Sequence, residues 1–279
     1  MILTDPLVQR MLLVGLLVGV TAPIVGTYLV QRRMALMGDG IGHVALAGVA
    51  AGWLAGSAAG LAERDALAIP GAVIFAIGGA VIVERMRSHG SAADVGMAIL
   101  FYGGIATGVL LIGAAGGSNA NLLGYLFGSI STVSWTDVWL TVALAALIIG
   151  VGIGLRRSLF AVTHDQEFAR STGLPVGMLN IVVAILAAVT ITVAMRVVGV
   201  LLVSALMILP VAIAQLTTHS FNRTMLIAMA VGGAITVAGI SITLYYDLQP
   251  GALIVVLGVA AYIAVSAMAS LRRSRGARR

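Results

Sequence analysis

Apolar residues along this chain do not alternate with polar ones. They gather in long runs parted by short polar stretches. Nine runs stand out, at about 7–30, 41–60, 66–83, 95–113, 137–155, 176–195, 197–216, 224–245 and 249–270. A bilayer core of ~30 Å takes about 20 apolar residues of α-helix, and each run is close to that length. A transmembrane β-barrel would alternate lipid-facing and lumen-facing positions, which Val197–Leu209 does not. The pattern predicts an all-α polytopic membrane protein with about nine transmembrane helices. Only a residue or two around Arg196 parts the sixth and seventh runs. One broken element there, and eight spans, is the alternative.

Composition agrees with that class. Of 279 residues, 60% are hydrophobic and 9% charged, whereas soluble domains carry roughly 25% charged residues. This excludes an ordinary soluble enzyme, a disordered chain and a nucleic-acid-binding domain. The net charge of +6 fits arginine-rich membrane flanks instead. The chain has no cysteine, so disulfides, thiolate metal sites and iron–sulfur clusters are ruled out. All sixteen basic residues are arginine. A P-loop needs its lysine on the phosphates, so the chain is not expected to be an enzyme with its own site of that kind. If ATP drives it, another subunit binds the nucleotide.

Arginine also predicts orientation, because cytoplasmic flanks are enriched in it. With nine spans and an inside C-terminus, the inside flanks hold Arg32, Arg33, Arg85, Arg87, Arg156, Arg157, Arg170, Arg223 and the five arginines of Leu271–Arg279, thirteen in all. The outside holds Arg10, Arg64 and Arg196, three in all. The N-terminus is therefore expected outside and the C-terminus in the cytoplasm. No cleavable leader is expected. Residues 1–279 read as a single transmembrane domain. Glycine pairs such as Gly15/Gly19 have the small-xxx-small spacing that lets helices approach closely.

Four places could carry chemistry. Asp39 and His43 lie four residues apart, on one face of a helix. A carboxylate oxygen and an imidazole nitrogen together suit Zn²⁺, Mn²⁺ or Fe²⁺, and Gly40 and Gly42 would leave room for an ion. The spacing equally allows Asp39 to cap a helix and His43 to bond a neighbouring helix. The inside segment Arg156–Gly177 predicts a short helix with Asp165 near its start and Gly173-Leu-Pro175 at its end. Its Glu167-x-Ala169-x3-Gly173 spacing suits docking into a groove on a partner subunit, with the small Ala169 allowing close approach. A solvated connecting helix has the same spacing. Pro210 interrupts a long apolar run and would bend that helix; with Ser204 on the same general face, both are pore-lining candidates, and packing alone explains them equally. The outside segment Ala114–Thr136, with Asn121–Gly128, could form a short helix at the membrane surface. His89, His164 and His219 read as solvated loop residues, Asp247 as a turn residue, and Met195 and Met207 as packing.

Three stretches resemble the membrane-spanning permease subunit of the zinc/manganese/iron ABC importers, the ABC-3 family. Asp39, His43 and Gly48 match an Asp-x3-His-x4-Gly stretch after the first helix. Tyr125-Leu-Phe-Gly-Ser129 is similar to a Leu-Phe-Gly-Ser segment before a mid-chain helix. Val198–Ala214 resembles a Val-Gly-x-Leu-Leu-Val-x-Ala-Leu-x3-Pro-x3-Ala run. They occur in the family's order and span nearly the whole chain. The Arg-rich tail, Gly40 and Gly42 depart from many relatives.

The resemblance implies a permease of the type II (cobalamin/metal) architecture in the bacterial cytoplasmic membrane. It implies a homodimer, two cytoplasmic ATP-binding-cassette ATPase subunits and an extracytoplasmic metal-binding protein. The cargo would be a divalent transition-metal ion, with zinc placed before manganese or iron, and no cofactor would be bound permanently. Asp39 and His43 become the transit metal site, and Asp165, Glu167, Ala169 and Gly173 the helix coupling to the ATPase. The alternatives are a permease for iron chelates or cobalamin, a proton-coupled metal exchanger carrying its proton on Asp39, and an intramembrane enzyme. No inverted repeat and no His-Glu-x-x-His motif favours the last two.

Overall fold

In the computed structural model, which describes residues 5–60, 67–88, 93–115, 124–128, 133–246 and 248–276, a short helical turn at 124–127 and eleven helices account for most of the described residues. They are α1 (Pro6–Gln31), α2 (Ala35–Ala58), α3 (Ala68–Ser88), α4 (Ala93–Ala114), α5 (Trp135–Gly154), α6 (Arg156–His164), α7 (Gln166–Ser171), α8 (Val176–Val198), α9 (Val200–Thr217), α10 (Phe221–Thr243) and α11 (Pro250–Gly276). Among the described residues, nine are long and apolar enough to cross a bilayer: all but α6 and α7. Arg64, His89, residues 121–123, Ser129, Asp247, Arg278 and Arg279 lie outside the described residues.

Local chemistry sets several helix ends. Asp5 caps α1, accepting from the Leu7 amide at 2.8 Å, with Pro6 following it; proline is favoured there because its missing N–H would have no partner anyway. Ser134 and Asp137 form a reciprocal capping box at the start of α5. α1 ends with Arg33 in the left-handed region, φ 59°, while the Met34 amide reaches back to the Leu29 carbonyl. That i to i−5 bond closes α1 as a Schellman turn. The break between the sixth and seventh spans falls at Gly199, φ 90°, not at Arg196. A β-carbon there would lie 2.5 Å from the backbone of Phe127 and Gly128, so glycine alone fits both the turn and the close approach.

Two groups of helices pack around a shared centre. α1 lies against α5, α9 and α10, while α2 lies against α3 and α4; α8 and α9 touch both groups. The α1–α10 seam uses the predicted glycine spacing, with Gly19 and Gly232 in backbone contact. Threonines inside the spans are satisfied locally. Thr27, Thr141, Thr190, Thr192 and Thr236 each donate to the carbonyl four residues earlier, as the absence of water in a bilayer core requires. The outer surface is apolar instead: Ile74, Leu110, Leu226 and Ile263 are exposed. A water-soluble monomer does not display so much contiguous apolar surface.

Of the arginines predicted inside, Arg32, Arg85, Arg87, Arg156 and Arg170 lie close together. Arg32 Nε donates to Thr163 on α6 at 3.2 Å. Burial, and then the charge of Arg87, pushes the Arg32 guanidinium down to about 10, so it stays charged at neutral pH. Arg10 sits over the Trp135 ring at 4.5 Å, at the start of α5.

Candidate metal centre

α2 starts at Ala35, six residues before the apolar run that predicted it, because Asp39 and three glycines weaken the hydropathy of its first turns. Met34 is the N-cap residue, so Asp39 lies inside the helix and does not cap it. Asp39 and His43 therefore share one face, one turn apart. The His43 side chain is 7% exposed and that of Asp39 23%. Their nearest atoms, His43 Nε2 and Asp39 Oδ1, are 3.8 Å apart, too far for a hydrogen bond.

Ser204 of α9 completes the group. Its hydroxyl lies 3.3 Å from Asp39 Oδ1 and within 3.2 Å of the Val200 and Leu201 carbonyls. A buried serine inside an apolar helix bonds its own backbone by default; the approach to a carboxylate 165 residues away is the tertiary feature. Phe101 of α4 stands edge-on to the His43 ring, with centroids 4.6 Å apart. His43 Nδ1 is buried without a hydrogen-bond partner. Asp39 lines a cavity of 360 Å³ between α2 and α4, with Leu36, Met97, Ala98, Phe101 and Tyr102.

The geometry suits a cation. Two metal–ligand bonds of about 2.1 Å place their donor atoms roughly 3–4 Å apart, and the Asp39–His43 gap falls in that range. Among the described residues no third His, Asp or Glu joins them, so a fuller shell needs the Ser204 hydroxyl, water or another chain. The glycines act differently from expectation. A β-carbon on Gly42 would lie 2.5 Å from Val200, and one on Gly40 would be in ordinary contact with α4. Gly42 is required by helix packing, whereas a β-carbon at Gly40 would fit. Gly104 on α4 does the most for the site: a β-carbon there would lie 2.7 Å from the Val44 nitrogen and 2.8 Å from the His43 carbonyl carbon. Neither Phe101 nor Gly104 is visible as a site residue in the sequence, since only tertiary packing brings α4 to His43.

The other expected residues are dispersed. Pro210 is buried in α9, away from the Asp39 cavity lining. Met195 and Met207 are in the apolar core, while His164 and His219 are exposed. The Arg156–Gly177 segment holds two short helices, not one, because the chain is extended at Asp165, φ −149° and ψ 105°. Asp165 caps α7, accepting from the Glu167 and Phe168 amides at 3.0 and 2.9 Å, and Gly173, φ 81°, ends it. Ala169 is fully buried against its own chain. The surface α7 offers is Glu167, Phe168 and Arg170, and Phe168, 61% exposed, is the apolar residue that the sequence reading missed.

Residues 4–269 match the ABC 3 transport family. The chain belongs to that family. This ABC-3 permease is 31% identical over 250 residues to the manganese transport system membrane protein MntC of Halalkalibacterium halodurans, covering 89% of this chain and 82% of that one. It is 29% identical to the manganese import system permease protein ScaB of Streptococcus parasanguinis, covering 88% and 85%. Its fold matches the structure of PsaBC from Streptococcus pneumoniae in complex with Fab, with a TM-score of 0.80, 28% identity and coverage of 94% and 91%. Family membership sets this multi-pass permease apart from gradient-driven exchangers and intramembrane enzymes.

Proposed function

We propose that this ABC-3 permease imports a divalent transition-metal ion across the bacterial cytoplasmic membrane, and that Asp39 and His43 hold the ion in transit. The observation that carries this is the carboxylate and imidazole in the first turns of the spanning helix α2, 3.8 Å apart and beside a cavity. Ionisable groups within a span are costly and tend to mark a transport path. The Ser204 hydroxyl makes the set two oxygens to one nitrogen. Oxygen donors suit manganese better than a nitrogen-rich set would, and the relatives MntC and ScaB are named for manganese transport and import. We therefore place manganese before zinc and iron, reversing the order expected from sequence.

In this reading residues 1–279 form one permease domain, with the arginine-bearing end in the cytoplasm and the N-terminus outside. The chain works as a homodimer with two ATPase subunits and an extracytoplasmic metal-binding protein. The ATPase grips α7 through Glu167, Phe168 and Arg170, while Asp165 and Gly173 fix the ends of that helix. ATP-driven motion of α7 opens the Asp39 site inward. The ion passes because two protein ligands and a weak third hold it loosely enough to release.

Uptake of labelled Mn²⁺, Zn²⁺ and Fe²⁺ in cells lacking this chain tests the proposal. Wild type should restore uptake of manganese. Asp39→Asn and His43→Ala, at equal membrane abundance, should leave it at background. Restoration of uptake by the variants would remove the pair from the mechanism.

A further inference from the structure

The bend between α6 and α7 is held on both sides by guanidinium groups of other helices. The chain is extended at Asp165, so α6 and α7 are two short rods that meet there. Just before the bend, Thr163 of α6 accepts from Arg32 Nε, at the end of α1, at 3.2 Å. Just after it, Gln166 begins α7. With its amide oxygen toward α3, Gln166 accepts from Arg87 Nη2 and Nη1 at 3.2 and 3.3 Å. Arg87 is itself fixed to α3, because Glu84 accepts from its Nη2 at 2.8 Å and its Nε at 3.3 Å. Such two-pronged charged contacts are strong and set direction. The two rods differ in their other anchors. Leu159 and Val162 of α6 are fully buried, whereas α7 buries Ala169. A single small apolar side chain leaves α7 more dependent on its polar link.

The two links lead to different parts of the bundle. α6 packs on α1 and α5. α3 packs on α2, with Gly48 and Gly71 in backbone contact. α2 carries Asp39 and His43, and Asp39 approaches Ser204 of α9 at 3.3 Å, while α9 packs on α1. The Asp39 site thus lies on the seam between helices linked to α6 and helices linked to α7. Two bodies joined at a short extended segment can rotate about it as a hinge. We propose that α7 swings about Asp165 together with α3 and α2, through Gln166, Arg87 and Glu84, while α6 stays with α1; this rests on the reading of α7 as the ATPase contact. Gln166 and Arg87 are then positioning residues. They touch no ion, and they carry the push on α7 to the helix that holds Asp39, parting it from Ser204.

The test uses the permease in nanodiscs with a cysteine-free form of its ATPase, and its main readout is a distance. The chain has no cysteine, so spin labels go only to Ile82→Cys on α3 and Arg157→Cys on α6, both at exposed positions. Pulsed double resonance compares the nucleotide-free complex with one holding a non-hydrolysable ATP analogue. With α7 and its links otherwise native, the label distance should change by several ångströms. Gln166→Leu should lose most of that change, and Gln166→Glu, which keeps an acceptor for Arg87, should retain it. In proteoliposomes Gln166→Leu should also move about fivefold less Mn²⁺ per ATP hydrolysed, the scale of coupling between separate sites. If Gln166→Leu released the ATPase, Arg87→Gln would cut the same link from α3 while leaving a donor for Glu84. A full distance change in the variant that keeps the ATPase bound, or none in the native link, would overturn the proposal. Phe168→Ala tests the reading beneath it: a variant that binds the ATPase and shifts as before would remove α7 from that contact, a failure distinct from one at Gln166.

Discussion

Two pairs of ionisable groups sit one helical turn apart in this chain, and they meet opposite fates. At the end of α3, Glu84 and Arg87 close to 2.8 Å, and Gln166 lies beside them. In α2, Asp39 and His43 stay 3.8 Å apart, with only a 3.3 Å approach from Ser204 and an unpartnered nitrogen on the ring. The first pair is satisfied and fixes the packing of α3. The second is buried and under-satisfied, which costs free energy in any apolar setting. Gly104 lets α4 pack directly on the His43 backbone, which brings Phe101 against the His43 ring. A pair left open in this way is suited to take a third body between its members.

The contrast can be broken from either side. The largest effect is expected at the contact that seats α4 on the site. Gly104→Val would force α4 away from α2, costing about 2–3 kcal/mol for overpacking, and should lower both the melting temperature and metal uptake. Ser204→Ala removes one oxygen while keeping the packing. It should weaken metal binding about tenfold, in the range seen for supporting ligand contacts, with melting nearly unchanged in the absence of metal; titration calorimetry reads this directly. Glu84→Gln is the converse. Breaking a charge-assisted pair should cost about 1–2 kcal/mol of stability, visible in the melt, yet leave Mn²⁺ affinity at Asp39 as in wild type. If Glu84→Gln weakened the metal site as much as Ser204→Ala, the two clusters would not be separable in function.

Hydropathy made the nine spans legible, because each long apolar run must become a helix in lipid. The start of α2 and the break at Gly199 were less visible. Hydropathy is low where Asp39 interrupts the first turns of α2, and it does not register the positive φ of Gly199. The Asp39–His43 pair was legible from its spacing. Its third member was not, since Ser204 lies 165 residues from Asp39 and only helix packing joins them. Glu84 went unremarked although its three-residue spacing from Arg87 is a recognisable helical pair. Ala169 misled for a related reason: spacing says that a small residue permits close approach, but not whether the neighbour is a partner or the chain's own core.

The central claim is that Asp39 and His43 hold the ion. Pulsed electron paramagnetic resonance of Mn²⁺ bound to the purified permease tests it most directly, because an imidazole ligand adds nitrogen coupling to the manganese spectrum. Wild type should show coupling from a histidine nitrogen, His43→Ala should lose it, and Asp39→Asn should bind Mn²⁺ more weakly. Nitrogen coupling that survives in His43→Ala, or is absent from wild type, would contradict the account.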